Sequence, residues 1–175
     1  MKKLVLLLSV LMLMAGFSSC NKIEEATTVE FTASYDADLQ IDVNSRSTDG
    51  SFSAFATIDP ASDSEFNKYI KNIKDISVES ITGRVVYTDP EFILESADLR
   101  IYNDSHSAEW TYSEVPIYTG TSLIMGNEEG QWDNVSKIAN SKSVYNLSLI
   151  GSVNVDELSC TIRVTIRYKV KASAL

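Results

Sequence analysis

Along most of the chain, apolar and polar side chains alternate one for one. The longest stretch is the last, where Leu158, Cys160, Ile162, Val164, Ile166, Tyr168 and Val170 fall on one face. Ser159, Thr161, Arg163, Thr165, Arg167, Lys169 and Lys171 fall on the other. A period of two in β-branched residues predicts a long strand with one buried and one wet face. Shorter runs of the same kind occur at Val29/Phe31/Ala33/Tyr35, Leu39/Ile41/Val43 and Phe52/Ala54/Ala56/Ile58. Others are Ala97/Leu99/Ile101, Ala108/Trp110/Tyr112 and Tyr145/Leu147/Leu149/Gly151/Val153. Between Ile76 and Tyr87 the phase changes, which predicts a bulge near Ser80. Asp36-Ala37-Asp38, Thr88-Asp89-Pro90-Glu91, Asn103-Asp104-Ser105 and Asn154-Val155-Asp156-Glu157 carry turn-forming residues, so the strands are expected as antiparallel hairpins.

Two segments change to a helical period. Ser62-Asp63-Ser64-Glu65 reads as a capping box with Ser62 as N-cap, followed by the stripe Phe66, Ile70, Ile73. After Gly130, Trp132, Val135 and Ile138 repeat that spacing. Asn72, Lys74, Ile76, Gly83 and Val85 recur at constant offset as Asn140, Lys142, Val144, Gly151 and Val153, which suggests a strand–helix–strand–strand unit used twice. The expected fold is an antiparallel β-sandwich of eight or nine strands with two short helices, with a closed β-barrel as the alternative.

The N-terminus follows different rules. Met1-Lys2-Lys3 precedes an apolar run from Leu4 to Gly16 broken only by Ser9, then Phe17-Ser18-Ser19-Cys20. A basic start, a short apolar stretch and small residues make a secretory signal peptide, and the run is too short to span a bilayer. Ser18, Ser19 and Cys20 resemble the lipobox of bacterial lipoproteins, with Phe17 where leucine is usual. The resemblance implies cleavage before Cys20, diacylglycerol on its sulfur and, often, acylation of the new amine. Asn21-Lys22-Ile23-Glu24-Glu25 is similar to the tether of surface-exported lipoproteins of Bacteroidota. This divides the chain into a signal peptide (1–19), a flexible tether (20–27) and one β-sandwich domain (28–173).

Charge narrows the functional classes. The 175-residue chain carries 24 acidic and 15 basic side chains, and loss of Lys2 and Lys3 with the signal takes its formal charge from -9 to -11. Nucleic acid, which wants a basic stripe, is disfavoured. Apart from Cys20 the only cysteine is Cys160, which alternates with core positions and should be a buried, unreactive thiol. His106 is the only histidine and falls in a turn, so neither a zinc site nor a hydrolytic triad has its residues. The acid-rich loops lack the alternating ligands of a calcium loop, and no glycine-rich phosphate loop occurs. No cofactor or metal is expected. Trp110 and Tyr112 should face inward.

One basic feature stands out on an acidic chain. Arg163, Arg167, Lys169 and Lys171 form a stripe that either docks an anionic partner or pairs across strands with acids such as Glu95 or Asp98. The expected role is a non-catalytic lipoprotein, anchored through Cys20 to the outer membrane and exposed at the cell surface, that binds a glycan, peptide or protein. The alternative is a carrier or envelope-assembly factor on the periplasmic face, holding a lipid or other apolar ligand between its sheets.

Overall fold

The computed structural model describes residues 27–44 and 50–174. The signal segment, Cys20 and the tether up to residue 26 lie outside the described residues. Eight strands, β1 (Thr28–Val43), β2 (Ser51–Ile58), β3 (Ile73–Asp89), β4 (Phe92–Tyr102), β5 (Ser107–Ile117), β6 (Ser122–Leu123), β7 (Tyr145–Val153) and β8 (Leu158–Ser173), form two antiparallel sheets. The strand orders are β1-β8-β3-β6 and β2-β7-β4-β5, so the molecule is a sandwich of two four-stranded sheets rather than a closed barrel. Two helices, α1 (Ser64–Tyr69) and α2 (Gln131–Asn140), complete it, with a 3₁₀ turn at Pro60–Ser62 before α1.

Period-two patterning explains the layers. In β8 every second residue from Leu158 to Ala172 is buried, and the intervening ones face solvent. The inward residues of both sheets meet in one core that also takes Phe66 from α1 and Val135 and Ile138 from α2. Each fully buried aliphatic or aromatic side chain contributes about 1.5–3 kcal/mol, so this shared core is the main stabilising element. Across it the hydroxyls of Tyr145 and Tyr168 meet at 2.9 Å, one from each sheet.

The chain has two halves, β1-β2-α1-β3-β4 and β5-β6-α2-β7-β8. Exchanging the halves turns the order β1-β8-β3-β6 into β5-β4-β7-β2, which is the second sheet. The same exchange carries the pair Val85–Ile162 onto Val153–Leu94. In each half an inward aromatic of the first strand donates to a carbonyl ahead of the helix. Tyr35 Oη donates to Pro60 O at 2.9 Å, and Trp110 Nε1 to Gly126 O at 2.8 Å. The strand–helix–strand–strand echo is therefore present in the topology, enlarged by one leading strand in each half.

Three local expectations need correction. Asp36-Ala37-Asp38 is no turn: β1 runs through it, because Ala37 keeps the inward phase while Asp36 and Asp38 reach outward to Thr165 and Arg163 of β8. Helix α1 is capped by Asp63, whose carboxylate accepts from Phe66 N at 2.8 Å, not by Ser62. Ser62 belongs to the 3₁₀ turn, and its hydroxyl donates back to Asp59 O. Ile73 also leaves the helical stripe and opens β3. The predicted bulge does occur, since the pairing of β3 with β8 shifts between Val78 and Ser80, with Glu79 the extra residue.

The free edge of β3 is covered by side chains. Asn140 at the end of α2 acts as a strand substitute, its Oδ1 accepting from Ile76 N at 3.1 Å and its Nδ2 donating to Ile76 O at 2.8 Å. Ser136 Oγ accepts from Val78 N at 3.0 Å. Further along, β6 pairs for only two residues, and the turn Tyr118–Thr121 docks on Val85 through two backbone bonds. Such covering blocks edge-to-edge association.

Candidate functional site

The outer face of the β1-β8-β3 sheet carries the basic stripe, and its rows follow from register. Asp38, Arg163 and Arg84 stand side by side, as do Asp36, Thr165 and Thr82 in the next row. Arg163 binds Asp38 through both ends of its fork, Nε to Oδ1 at 2.7 Å and Nη2 to Oδ2 at 2.8 Å. The hydrogen bond to Arg163 holds the Asp38 carboxyl below its ordinary range and raises the guanidinium. A carboxyl with a lowered folded-state pKa contributes above its unfolded value, so this link is complete at neutral pH and fades as pH falls through the lowered pKa.

The other three cations of the stripe are also paired. Lys169 and Lys171 converge on Glu30 at 2.8 and 3.6 Å, and Arg167 lies 3.7 Å from Glu79. The partners come from β1 and β3. Glu95 and Asp98 belong to β4 in the opposite sheet, where Asp98 accepts from Thr111. All these groups are about half exposed, so each pair contributes little to stability. Glu79 balances Arg167, while the single carboxylate of Glu30 balances one of the two lysines and leaves the pair with one net positive charge.

Arg84 is different. It stands directly opposite Arg163 on β3, and among the described residues it makes no ion pair. Like charges facing each other across strands repel, and of the two guanidinium groups only Arg163 is paired with a carboxylate, that of Asp38. The two arginines line a cleft of about 550 Å³ with Thr82, Thr165, Val86, Thr119 and Gly120. The floor is the sheet face and the wall is the turn held on Val85 by Thr121 O and Gly120 N. Tyr87, exposed, follows on the same outer face opposite Thr161. A second cleft of about 500 Å³ runs along the other side of Arg84, lined by Ile81, Leu123, Ile124 and Met125. Both open at the surface. The arrangement suits an anionic group that meets one free and one partly engaged guanidinium, with threonine hydroxyls beside them.

No protein-family model and no curated protein matches this chain.

The remaining sequence candidates are placed as follows. Cys160 is buried on β8, and burial pushes its thiol up to about 11. His106 sits exposed in the β4–β5 turn, where Asn103 Oδ1 accepts from the backbone N–H of Ser105 and of His106. Trp110 and Tyr112 are buried and donate to the carbonyls of Gly126 and Ile124. Trp132 is partly buried, its Nε1 donating to Met125 O. Among the described residues, no group of three His, Cys, Asp or Glu side chains is placed to hold a metal, and no helix is long and apolar enough to cross a membrane.

Sequence reasoning missed Arg84. It is a lone cation within Thr82-Gly83-Arg84, and only the register that sets it against Arg163 gives it significance. The signal available was the phase change at the bulge. Counted past Glu79, the outward set on β3 becomes Thr82 and Arg84, and a second register shift between Val85 and Tyr87 adds Tyr87.

Proposed function

We propose that the protein is a lipoprotein anchored through Cys20 to the outer membrane and exposed at the cell surface, where its sandwich acts as a non-catalytic binding module. The Arg84–Arg163 cleft receives a carboxylate or sulfate carried by a glycan or peptide. The observation that carries the second half is a cleft on an acidic protein lined by two facing guanidinium groups, one of them without an ion pair among the described residues, and by no carboxylate. The lipobox Ser18-Ser19-Cys20 carries the first half. The binding reading leads over the carrier reading because the clefts around Arg84 open at the surface, while the side chains between the sheets pack against one another.

Calorimetric titration with uronate-bearing oligosaccharides and acidic peptides, each against a neutral counterpart, tests the cleft. Acidic ligands should bind in preference to neutral ones, more weakly as salt rises. Arg84→Ala should weaken that binding by about tenfold or more, the loss of a charge-assisted hydrogen bond. Arg84 is exposed, so the variant keeps its fold. Equal affinity for neutral ligands, or an unchanged affinity in Arg84→Ala, contradicts the assignment.

A further inference from the structure

The lysines of the sandwich are gathered at one end. Thr27 O accepts from Ala174 N, and Asn72 O from Ser173 N, so the start of β1, the end of β8 and the start of β3 meet at the point where the chain arrives from Cys20. Around that point stand Lys68, Lys71 and Lys74 at and after the end of α1, Lys142 after α2, and Lys169 and Lys171 at the end of β8. Lys137 lies a turn further along α2, which accounts for all seven lysines among the described residues.

Acids at this end are few. Among the described residues, Glu30 is held by Lys169 and Lys171 and Glu79 by Arg167, which leaves Glu65 on α1, Asp75 and the turn residue Asp104. Asp59 and Asp63 lie further up, close enough to Tyr35 to raise its pKa. Lys71 and Lys74 are exposed and have no acidic partner among the described residues. Partly buried Phe31, Tyr69 and Ile70 pack beneath, and Val144 is exposed beside them. The opposite end is acidic, with Asp42, Asp89, Glu91, Asp156 and Glu157 at the strand ends and their loops and no described lysine.

We infer that the lysine-bearing end is a docking surface for an anionic bilayer, which seats the sandwich upright with its acidic end outward. The inference deepens the anchoring read at Cys20. A tether of eight residues from Cys20 to Thr27 spans at most about 27 Å when fully extended, so this end is the one presented to lipid headgroups. Lysines near an anionic surface each strengthen attachment about fivefold, within roughly 10 Å of the charges. A bilayer also fits the geometry better than a single small anion, because the lysines ring the end of the molecule rather than converge on one point.

Protein isolated from native membranes and reconstituted into phosphatidylcholine vesicles, with or without phosphatidylglycerol, tests this through the reactivity of each lysine toward a water-soluble acylating reagent. Lys68, Lys71 and Lys74 should be protected several-fold in the anionic vesicles, and the protection should vanish at high salt, whereas Lys142, whose Nζ donates to Ile73 O at 2.9 Å, should react slowly in both. In the variant Lys68→Glu/Lys71→Glu, Lys74 should lose its protection. Equal reactivity of Lys68, Lys71 and Lys74 in both vesicle types overturns the inference. The mass of the N-terminal peptide in the same sample reports separately whether Cys20 is acylated. Should it be bare, flotation of the protein with anionic but not zwitterionic vesicles still supports the surface, and no flotation with either overturns it.

Discussion

Gly151→Val should destabilise the protein by at least about 3 kcal/mol, the upper end of what overpacking usually costs. Gly151 sits in β7 between Phe52 of β2 and Ala97 of β4. A Cβ there would clash with Ser96 O and lie 2.8 Å from both Cα and Cβ of Ala97. The nearest obstacles are main-chain atoms of a central strand with partners on both sides, so no rotamer change relieves the clash. Glycine inside a strand often marks such a close approach. Here it coincides with the register shift of β4 between Leu94 and Ser96. Urea denaturation of wild type, Gly151→Ala and Gly151→Val gives the test. Even alanine should lower the midpoint clearly, and an alanine variant as stable as wild type contradicts the packing described.

The second large effect is expected at the tyrosine pair between the sheets. Tyr168 packs against Tyr35, whose ring meets Phe66 edge-on, and its hydroxyl meets that of Tyr145. Burial raises the pKa of both hydroxyls, so both stay neutral across the working range of pH. Tyr168→Ala should cost about 3–5 kcal/mol through the cavity it leaves. Tyr168→Phe removes only the hydroxyl and strands that of Tyr145, at about 1–3 kcal/mol. Removing both hydroxyls, in Tyr145→Phe/Tyr168→Phe, should recover much of that loss, since neither polar atom is then left unpaired. A double variant less stable than either single one contradicts the view that the two hydroxyls satisfy each other.

What could be read from the sequence tracks how local its cause is. The β8 alternation, the inward Trp110 and Tyr112, and the bulge around Ser80 each depend on the period of one segment against one buried face, and all appear in the structure. The break assigned at Asp36–Asp38 failed because two acids in a strand look like a turn until Arg163 and Thr165 stand opposite them. The cap of α1 moved one residue because Pro60 starts a 3₁₀ turn that engages Ser62. Strand β6 pairs over only two residues, too few for any period to show. The cleft is the same lesson at larger scale. Arg163 was visible as part of a stripe, but its unbalanced neighbour Arg84 comes from a strand about eighty positions earlier and is brought opposite only by register. The pairing of Arg167 with Glu79, and of Lys169 and Lys171 with Glu30, is equally a matter of which strands adjoin.

The proposed placement of this sandwich depends on a single thioether. Mass spectrometry of the N-terminal peptide, from protein extracted from native cells, tests it most directly. The account predicts a chain that begins at Cys20 and carries diacylglycerol on sulfur, found in the membrane fraction. A chain that retains Met1, or that shows an unmodified thiol at residue 20 in the soluble fraction, contradicts it.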